Sequence, residues 1–404
     1  MKTKILLGPG LYDPKGNEAF LVKAIKEVAE TILFDGSFSS FEQLMGRLPK
    51  GWEPDFIIIR DAEFYKMPVN LENSPYPVIG LIGDYNLTLN KMLPILDSFD
   101  YFFCDTKGVR IFNKLGFNNC EFFCLYGYDP DLHRPYYNSN EKEIDVIFVG
   151  NLNRAIQQER EQYLYRLARL GKHIKVKITT GIFGGEFAKL LSSARIVFNR
   201  SIRDEANMRF FEAAGCGSTV MSNHIQELDL LGFIPDRDYL TYTDNNFEET
   251  IISFFNGDVR EKEEEFLSNM KGKIHLHTYR SRAEELINRL KMLHIDISQR
   301  RMLRLPIKDR MRRWQRYISD TVTIKGGINL NIFHPQIVAW AKHLIDNELE
   351  IKSFDINMWF WWMDLLKDAG LDEYLKYFIE DRLSLIESAP AFDNVKDEFR
   401  HYLT

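Results

Sequence analysis

The feature that most restricts this chain is a series of short, continuously apolar runs set between segments of helical period. Lys4-Ile5-Leu6-Leu7 leads into Gly8-Pro9-Gly10, and residues 18–30 then place Ala19, Leu21, Val22, Ile25, Val28 and Ala29 at helical spacing. Apolar runs recur at 56–59, 78–82, 101–104 and 120–125, with a helix expected over 88–97. Strands without polar alternation are buried on both faces, which predicts a parallel sheet covered by helices on each side. The polar segment 126–144, with Pro130 and Pro135, reads as a linker. The same alternation then restarts: strand 145–150, helix 157–170, strands 174–178 and 194–199, helix 207–215, strand 218–221.

These patterns predict an α/β chain of two halves, 1–130 and 131–295, each Rossmann-like, facing a cleft between the carboxyl ends of two sheets. Open α/β sheets bind ligands at such crevices. From 296 to 404 the chain reads as a basic linker and an α-helical extension, and its aromatic run at 359–362 reads as helical core. A length of 404 residues fits two or three domains. The 45% hydrophobic content excludes a disordered chain, and a net charge of −6 excludes a polyanion binder acting by bulk charge, so no nucleic-acid partner is expected. No apolar run approaches the ~20 residues of a membrane helix, and the amino-terminal sequence runs straight into a strand, so a cytoplasmic protein is expected.

The tract 300–316 departs from the acidic balance. It holds Arg300, Arg301, Arg304, Lys308, Arg310, Arg312, Arg313 and Arg316 against Asp309 alone. On a helix this pattern suits peripheral contact with an anionic inner membrane face, at about 1 kcal/mol per basic residue. It equally suits an acidic acceptor, or a linker helix salt-bridged to the acidic bodies. Cys104, Cys120, Cys124 and Cys216 sit in apolar stretches and read as buried small hydrophobes. Asp129-Pro130-Asp131 and Asp236-Arg237-Asp238 read as loop residues, and His275 and His277 as structural.

Residues 195–220 are the most informative. A strand ends at Asn199, a loop of mixed charge follows, and a helix from about Asn207 carries Arg209 and Glu212 before Gly215-Cys216-Gly217. A helix start offers free N–H groups and partial positive charge to a phosphate. Arg209 suits a bidentate contact to a diphosphate, and Glu212 suits ribose hydroxyls. The set fits a nucleoside diphosphate sugar, and an ordinary helix with a solvated Arg–Glu pair explains the spacing equally well.

The run from Asn207 to Gly217, N-M-R-F-F-E-A-A-G-C-G, resembles the signature of the CgeB-like (spore maturation protein B type) glycosyltransferases of glycosyltransferase group 1. Gly83-Asp84 with 98–103, the stretch 128–135, the stretch 147–151 with Arg160, and 277–283 resemble the rest of that family in order, over about 80–290. The resemblance implies a GT-B fold, a nucleotide-sugar donor in the second half, and no metal or other cofactor. On this reading Gly150, Asn151, Asn199, Arg200, Asn207, Arg209 and Glu212 bind the donor, with Arg203 a further candidate for the diphosphate. Asp84 and Glu212 are the catalytic candidates, and Gly8, Gly10 and Asp84 lie on the acceptor side. Retaining relatives use E-x7-E, whereas Asp204 and Glu212 give D-x7-E, and both stereochemical outcomes stay open. The expected activity moves a sugar to a hydroxyl of a surface glycan, lipid-linked saccharide or protein. The competing reading is a catalytically silent nucleotide-sugar-binding protein with a helical partner-binding tail.

Overall fold

The computed structural model describes residues 2–10, 19–35, 40–60, 62, 65, 67–152, 158–307, 309–310, 312–314, 316–317, 363, 367, 372–387 and 393–401. The aromatic run at 359–362 and Lys308 lie outside the described residues.

Two parallel sheets organise the chain. The first has the order β2-β1-β3-β4-β5-β6, from Lys4–Gly8 (β1), Glu30–Leu33 (β2), Phe56–Arg60 (β3), Val78–Leu81 (β4), Tyr101–Cys104 (β5) and Cys120–Phe122 (β6). Ile5 pairs in register with Phe56, and Ile57 with Val78. Ile5, Leu6, Leu7, Ile57, Ile58 and Ile59 are all fully buried, as continuous apolar runs require. Burying each such side chain stabilises the fold by about 1.5–3 kcal/mol. The helices between these strands are Ala19–Val28 (α1), Phe41–Gly46 (α2), Tyr85–Met92 (α3) and Thr106–Lys114 (α4).

Two details differ from the sequence-based expectation. β2 follows α1 after Ala29 alone, and its residues are only partly buried or exposed, so the short run Ile32-Leu33-Phe34 reads as a continuation of what precedes it. The helix expected over 88–97 ends at Met92, and a separate 3-10 turn follows at Leu96–Ser98. Pro94 stands between the two, where it removes a backbone donor and crowds the preceding turn.

The second sheet has the order β11-β10-β9-β7-β8, from Ile144–Val149 (β7), Val176–Thr179 (β8), Ala194–Asn199 (β9), Thr219–Asn223 (β10) and Leu240–Tyr242 (β11). Its helices are Gln158–Leu170 (α5), Gly184–Ser192 (α6), Met208–Gly215 (α7), Gln226–Leu230 (α8), Phe247–Phe255 (α9), Val259–Ile274 (α10) and Tyr279–Met292 (α11). Side chains along each strand alternate between two cores. Ile147, Val149 and Val197 pack with Phe210 and Phe211 of α7 on one face. Val146, Phe148, Ile196 and Phe198 pack with Tyr163 of α5 on the other. The register pairs Ile147 with Val197 and Ser222 with Asn199, so β7, β9 and β10 end side by side.

By compactness the chain divides into two units. One comprises Met1–Thr3, Tyr12–Thr31 and Phe103–His294, and the other Lys4–Leu11, Ile32–Phe102 and Ile295–Thr404. In the second unit the basic tract turns inward. Arg300, 2% exposed, donates to both carboxylate oxygens of Asp100 (3.0 and 2.6 Å) and to the carbonyls of Glu72, Ser74 and Tyr76. Arg301 and Arg313 both pair with Asp97, and Trp314 Nε1 donates to Glu72 at 2.9 Å. The tract is a 3-10 turn at Arg301–Arg304 followed by helical residues, and much of its charge meets Asp97, Asp100 and Glu72. This is the arrangement expected of a salt-bridged linker. Further on, Asp372–Ile386 (α12) and Asp393–His401 (α13) form the described part of the helical extension. All four cysteines are free and buried. Among the described residues no helix is long and apolar enough to cross a membrane.

Candidate functional site

The site is built at the carboxyl ends of β7 and β9, where α7 begins. Asn207 is the N-cap of α7, and its side chain accepts from the Phe210 amide at 3.4 Å. The amides of Met208 and Arg209, in the first turn, have no intrahelical acceptor. The Arg209 side chain folds back across β7. Its Nε donates to the Val149 carbonyl at 2.9 Å, its Nη1 to Asn199 Oδ1 at 3.2 Å, and its guanidinium lies 4.5 Å from the centre of the Phe148 ring. Asn199 is fully buried, and its Nδ2 donates to Ser222 Oγ at 3.1 Å. Asn199 therefore orients Arg209, with both ends of its amide engaged inside the protein.

Gly150 has a specific cause. A Cβ there would lie 2.2 Å from Arg209 Nη2. Gly150→Ala is expected to displace the guanidinium and to weaken binding of a diphosphate ligand by about tenfold or more, while melting within a few degrees of the parent. Calorimetric titration of the variant beside the parent checks this, and unchanged affinity would remove Arg209 from the site.

A second guanidinium lies beside the first. Arg160 of α5, 4% exposed, donates to the carbonyls of Asn151 (3.3 Å) and Arg200 (3.2 Å) and lies 5.3 Å from the Phe148 ring centre. It thereby ties together the two loops that follow β7 and β9. Burial lowers the pKa of Arg160 to about 9, with Arg209 adding repulsion, and burial lowers that of Arg209 to about 10. Among the described residues neither forms a salt bridge. Two cations desolvated on one aromatic ring and held by neutral oxygens favour an incoming anion.

Glu212, one turn along α7, is 2% exposed, and among the described residues its Oε1 has no hydrogen-bond partner. Burial pushes its carboxyl up to about 7, against the pull of Arg209. His133 Nε2, from the segment before β7, lies 3.7 Å from Glu212 Oε1.

Other candidates from the sequence are engaged within the protein. Arg200 donates to Glu159 at 3.0 Å and lies 5.0 Å from the Tyr163 ring centre. Arg203 is buried between Asp105, at 3.3 Å, and Glu205. Asp204 is exposed and holds a left-handed backbone (φ 59°) where the loop turns toward α7. Glu227 of α8, which no sequence signal marked, accepts from Thr106 N (2.7 Å), Thr106 Oγ1 (2.9 Å) and Ala206 N (2.8 Å), and so fixes the loop to the start of α4. A lone glutamate in a short helix carries no motif, and its role becomes visible only through its partners.

Gly8, Gly10 and Asp84 belong to the other unit. A Cβ on Gly8 would lie 2.3 Å from the Phe34 carbonyl, and Gly10 N donates to that carbonyl at 3.3 Å. Asp84 stands at the N-cap position of α3 without a side-chain capping bond. Both D-x-D triplets are held internally. Asp129 accepts from Asp131 N (2.9 Å) and Lys23 (3.2 Å), and Asp238 from Ile234 N (2.6 Å) and Lys273. His277 is buried against Phe233 and accepts from Arg282 at 2.7 Å. Among the described residues no group of three His, Cys, Asp or Glu side chains could hold a metal ion.

The sequence profile of the glycosyl transferase-like family matches residues 134–288, which contain β7 through α7 and most of α11. No curated protein sequence matches the chain. Among solved structures, one described as trehalose-6-phosphate from E. coli bound with UDP-2-fluoro glucose is 11% identical, with 73% of this chain and 100% of that one covered at a TM-score of 0.53. Another, from a study of glycosyl transfer with retention by trehalose-6-phosphate synthase, is 10% identical, with 72% and 100% covered at 0.51. Likeness at this identity is likeness of fold: two parallel-sheet halves with the same course of chain. The chain therefore has the GT-B fold, and its residues 134–288 match the glycosyl transferase-like family.

Proposed function

We propose that the protein is a glycosyltransferase of the CgeB-like type. It transfers a hexosyl group from a uridine diphosphate sugar to a hydroxyl of a surface glycan, lipid-linked saccharide or protein. One observation carries the reading: Arg209, in the first turn of α7, and Arg160 are desolvated on the one Phe148 ring and form no salt bridge among the described residues. Breaking a sugar–phosphate bond leaves negative charge on the diphosphate. Fixed cations and helix-end amides aimed at that charge stabilise the transition state more than the ground state. These cations supply the neutralisation that a divalent ion provides in other transferases, so the proposed chemistry runs without metal.

Gly150 and Asn151 line the phosphate side, Asn199 and Arg160 hold the framework, and Glu212 accepts from the ribose hydroxyls. Asp84 takes the acceptor proton as general base, with Gly8 and Gly10 on the acceptor side. The signature at 207–217 supports the CgeB-like assignment, and the neighbour described with UDP-2-fluoro glucose supports uridine. The domains are proposed as 1–130 for the acceptor, 131–295 for the donor and 296–404 for the basic linker and helical extension. The enzyme is placed in the cytoplasm.

Thermal-shift titration with uridine, guanosine, thymidine and cytidine diphosphates tests the donor site. The uridine compound is expected to raise the melting temperature, since a ligand at a hundred times its Kd stabilises by about 2.7 kcal/mol. No shift with any of the four would overturn the proposal. Uridine diphosphate binding without any release from uridine diphosphate sugars, whatever the acceptor, would favour the silent protein instead.

A further inference from the structure

We propose that His133, on the segment between the two sheets, is a positioning residue that holds the Glu212 carboxylate of the donor site. This rests on the reading of Glu212 as a ribose ligand, and it adds a component from outside the helix. The geometry sets the two side chains face to face. The Asp129 amide donates to His133 Nδ1 at 3.2 Å, so a neutral ring carries its proton on Nε2. Nε2 is the atom that faces Glu212 Oε1, at 3.7 Å. That oxygen is buried and has no hydrogen-bond partner among the described residues, and the imidazole is itself 1% exposed. The ring is clamped between Phe20 and Phe187, both edge-on. A movement of about half an ångström brings the pair within N–H···O range, which ligand binding to Glu212 would supply.

The segment itself is pinned. Asp129 takes Asp131 N and Lys23, and Tyr128 pairs with Thr278 across a parallel bridge. A Cβ on Gly215, at the end of α7, would lie 3.0 Å from the His133 carbonyl and 2.5 Å from Tyr128, so only glycine lets helix and segment come this close. Burial holds His133 well below its ordinary value, at about 4, so the ring stays neutral and acts as a dipole. The charged or titratable groups facing Glu212 are Arg209 on its own helix, His133 on the segment, and the Cys216 thiol just beyond the helix end.

Amide side chains separate the two ring nitrogens. Asparagine at 133 keeps an acceptor for the Asp129 amide and loses the donor toward Glu212. Glutamine keeps the donor. The full-length protein, His133→Asn, His133→Gln, and the same pair in a Glu212→Gln background are titrated with uridine diphosphate glucose between pH 5.5 and 8.5. In His133→Asn the midpoint of the pH dependence is expected to rise by on the order of one unit, a tenfold change in the ionisation of Glu212. His133→Gln should restore it, and the difference should vanish in the Glu212→Gln background. An unmoved midpoint in His133→Asn, a shift in His133→Gln as large, or a shift that survives Glu212→Gln would overturn the proposal. If uridine diphosphate glucose does not bind, the donor-site reading fails separately. The melting temperature of the same variants across the same pH range then reports the His133–Glu212 coupling alone. A buried acid raised above its unfolded value loses stability as pH rises toward 7, and this loss should deepen in His133→Asn and disappear with Glu212→Gln.

Discussion

An Arg209→Ala protein is expected to lose donor turnover by about a thousandfold while keeping its fold, the upper end of what one preorganised donor to a developing anion contributes. The side chain is anchored to the Val149 carbonyl and Asn199 Oδ1, so its loss leaves Asn199 Oδ1 without a donor in a buried site. That costs about 1–3 kcal/mol, too little to unfold a chain of this size but visible as a lower melting temperature. Arg209→Lys should recover little, because an ammonium cannot make the Val149 and Asn199 contacts together and still face a diphosphate. Glu212→Ala should act in the same direction. Release of uridine diphosphate from its sugar, measured beside circular dichroism of each variant, checks both. Full turnover in Arg209→Ala and Glu212→Ala would remove the site from α7.

The largest effect on stability is expected in the other unit, at Arg300. Its guanidinium meets both oxygens of Asp100 and three backbone carbonyls, all shielded from water. Arg300→Met removes one partner and takes two charge-assisted hydrogen bonds away from a buried carboxylate that also accepts from the Val78 amide at 2.8 Å. Breaking a buried ion pair from one side costs about 3–5 kcal/mol. The carbonyls of Glu72 and Ser74 also lose their Arg300 donor, whereas that of Tyr76 keeps the Ser74 hydroxyl at 2.8 Å. Urea unfolding followed by tryptophan fluorescence should show the midpoint falling well below the parent's, and a change under 1 kcal/mol would contradict a buried Arg300–Asp100 pair. Removing the chain from residue 296 onward should destabilise the unit similarly, since Arg300, Trp314 and Tyr317 are part of its interior.

What local pattern could establish, the sequence established. The runs read at 4–7, 56–59, 145–150 and 194–199 became parallel strands buried over most of their length, because a strand buried on both faces must be largely apolar. The glycines and the helix around Arg209 were legible for the same reason: turn chemistry and helix starts are properties of a few neighbouring residues. β2 escaped, since its short run Ile32-Leu33-Phe34 follows α1 after a single residue with no glycine or proline to separate them. The pairings were not local at all. Nothing in the spacing of charges distinguished Arg209 from Arg200 or Arg203, and only the folded chain set the last two against Glu159, Asp105 and Glu205 and held the first by the neutral oxygens of Val149 and Asn199. The same holds for Arg160, Glu227, His133 and the inward-facing Arg300. An ionic or dipolar contact depends on distance and desolvation across tens or hundreds of residues of chain, and those quantities exist only once the sheets have brought the residues together.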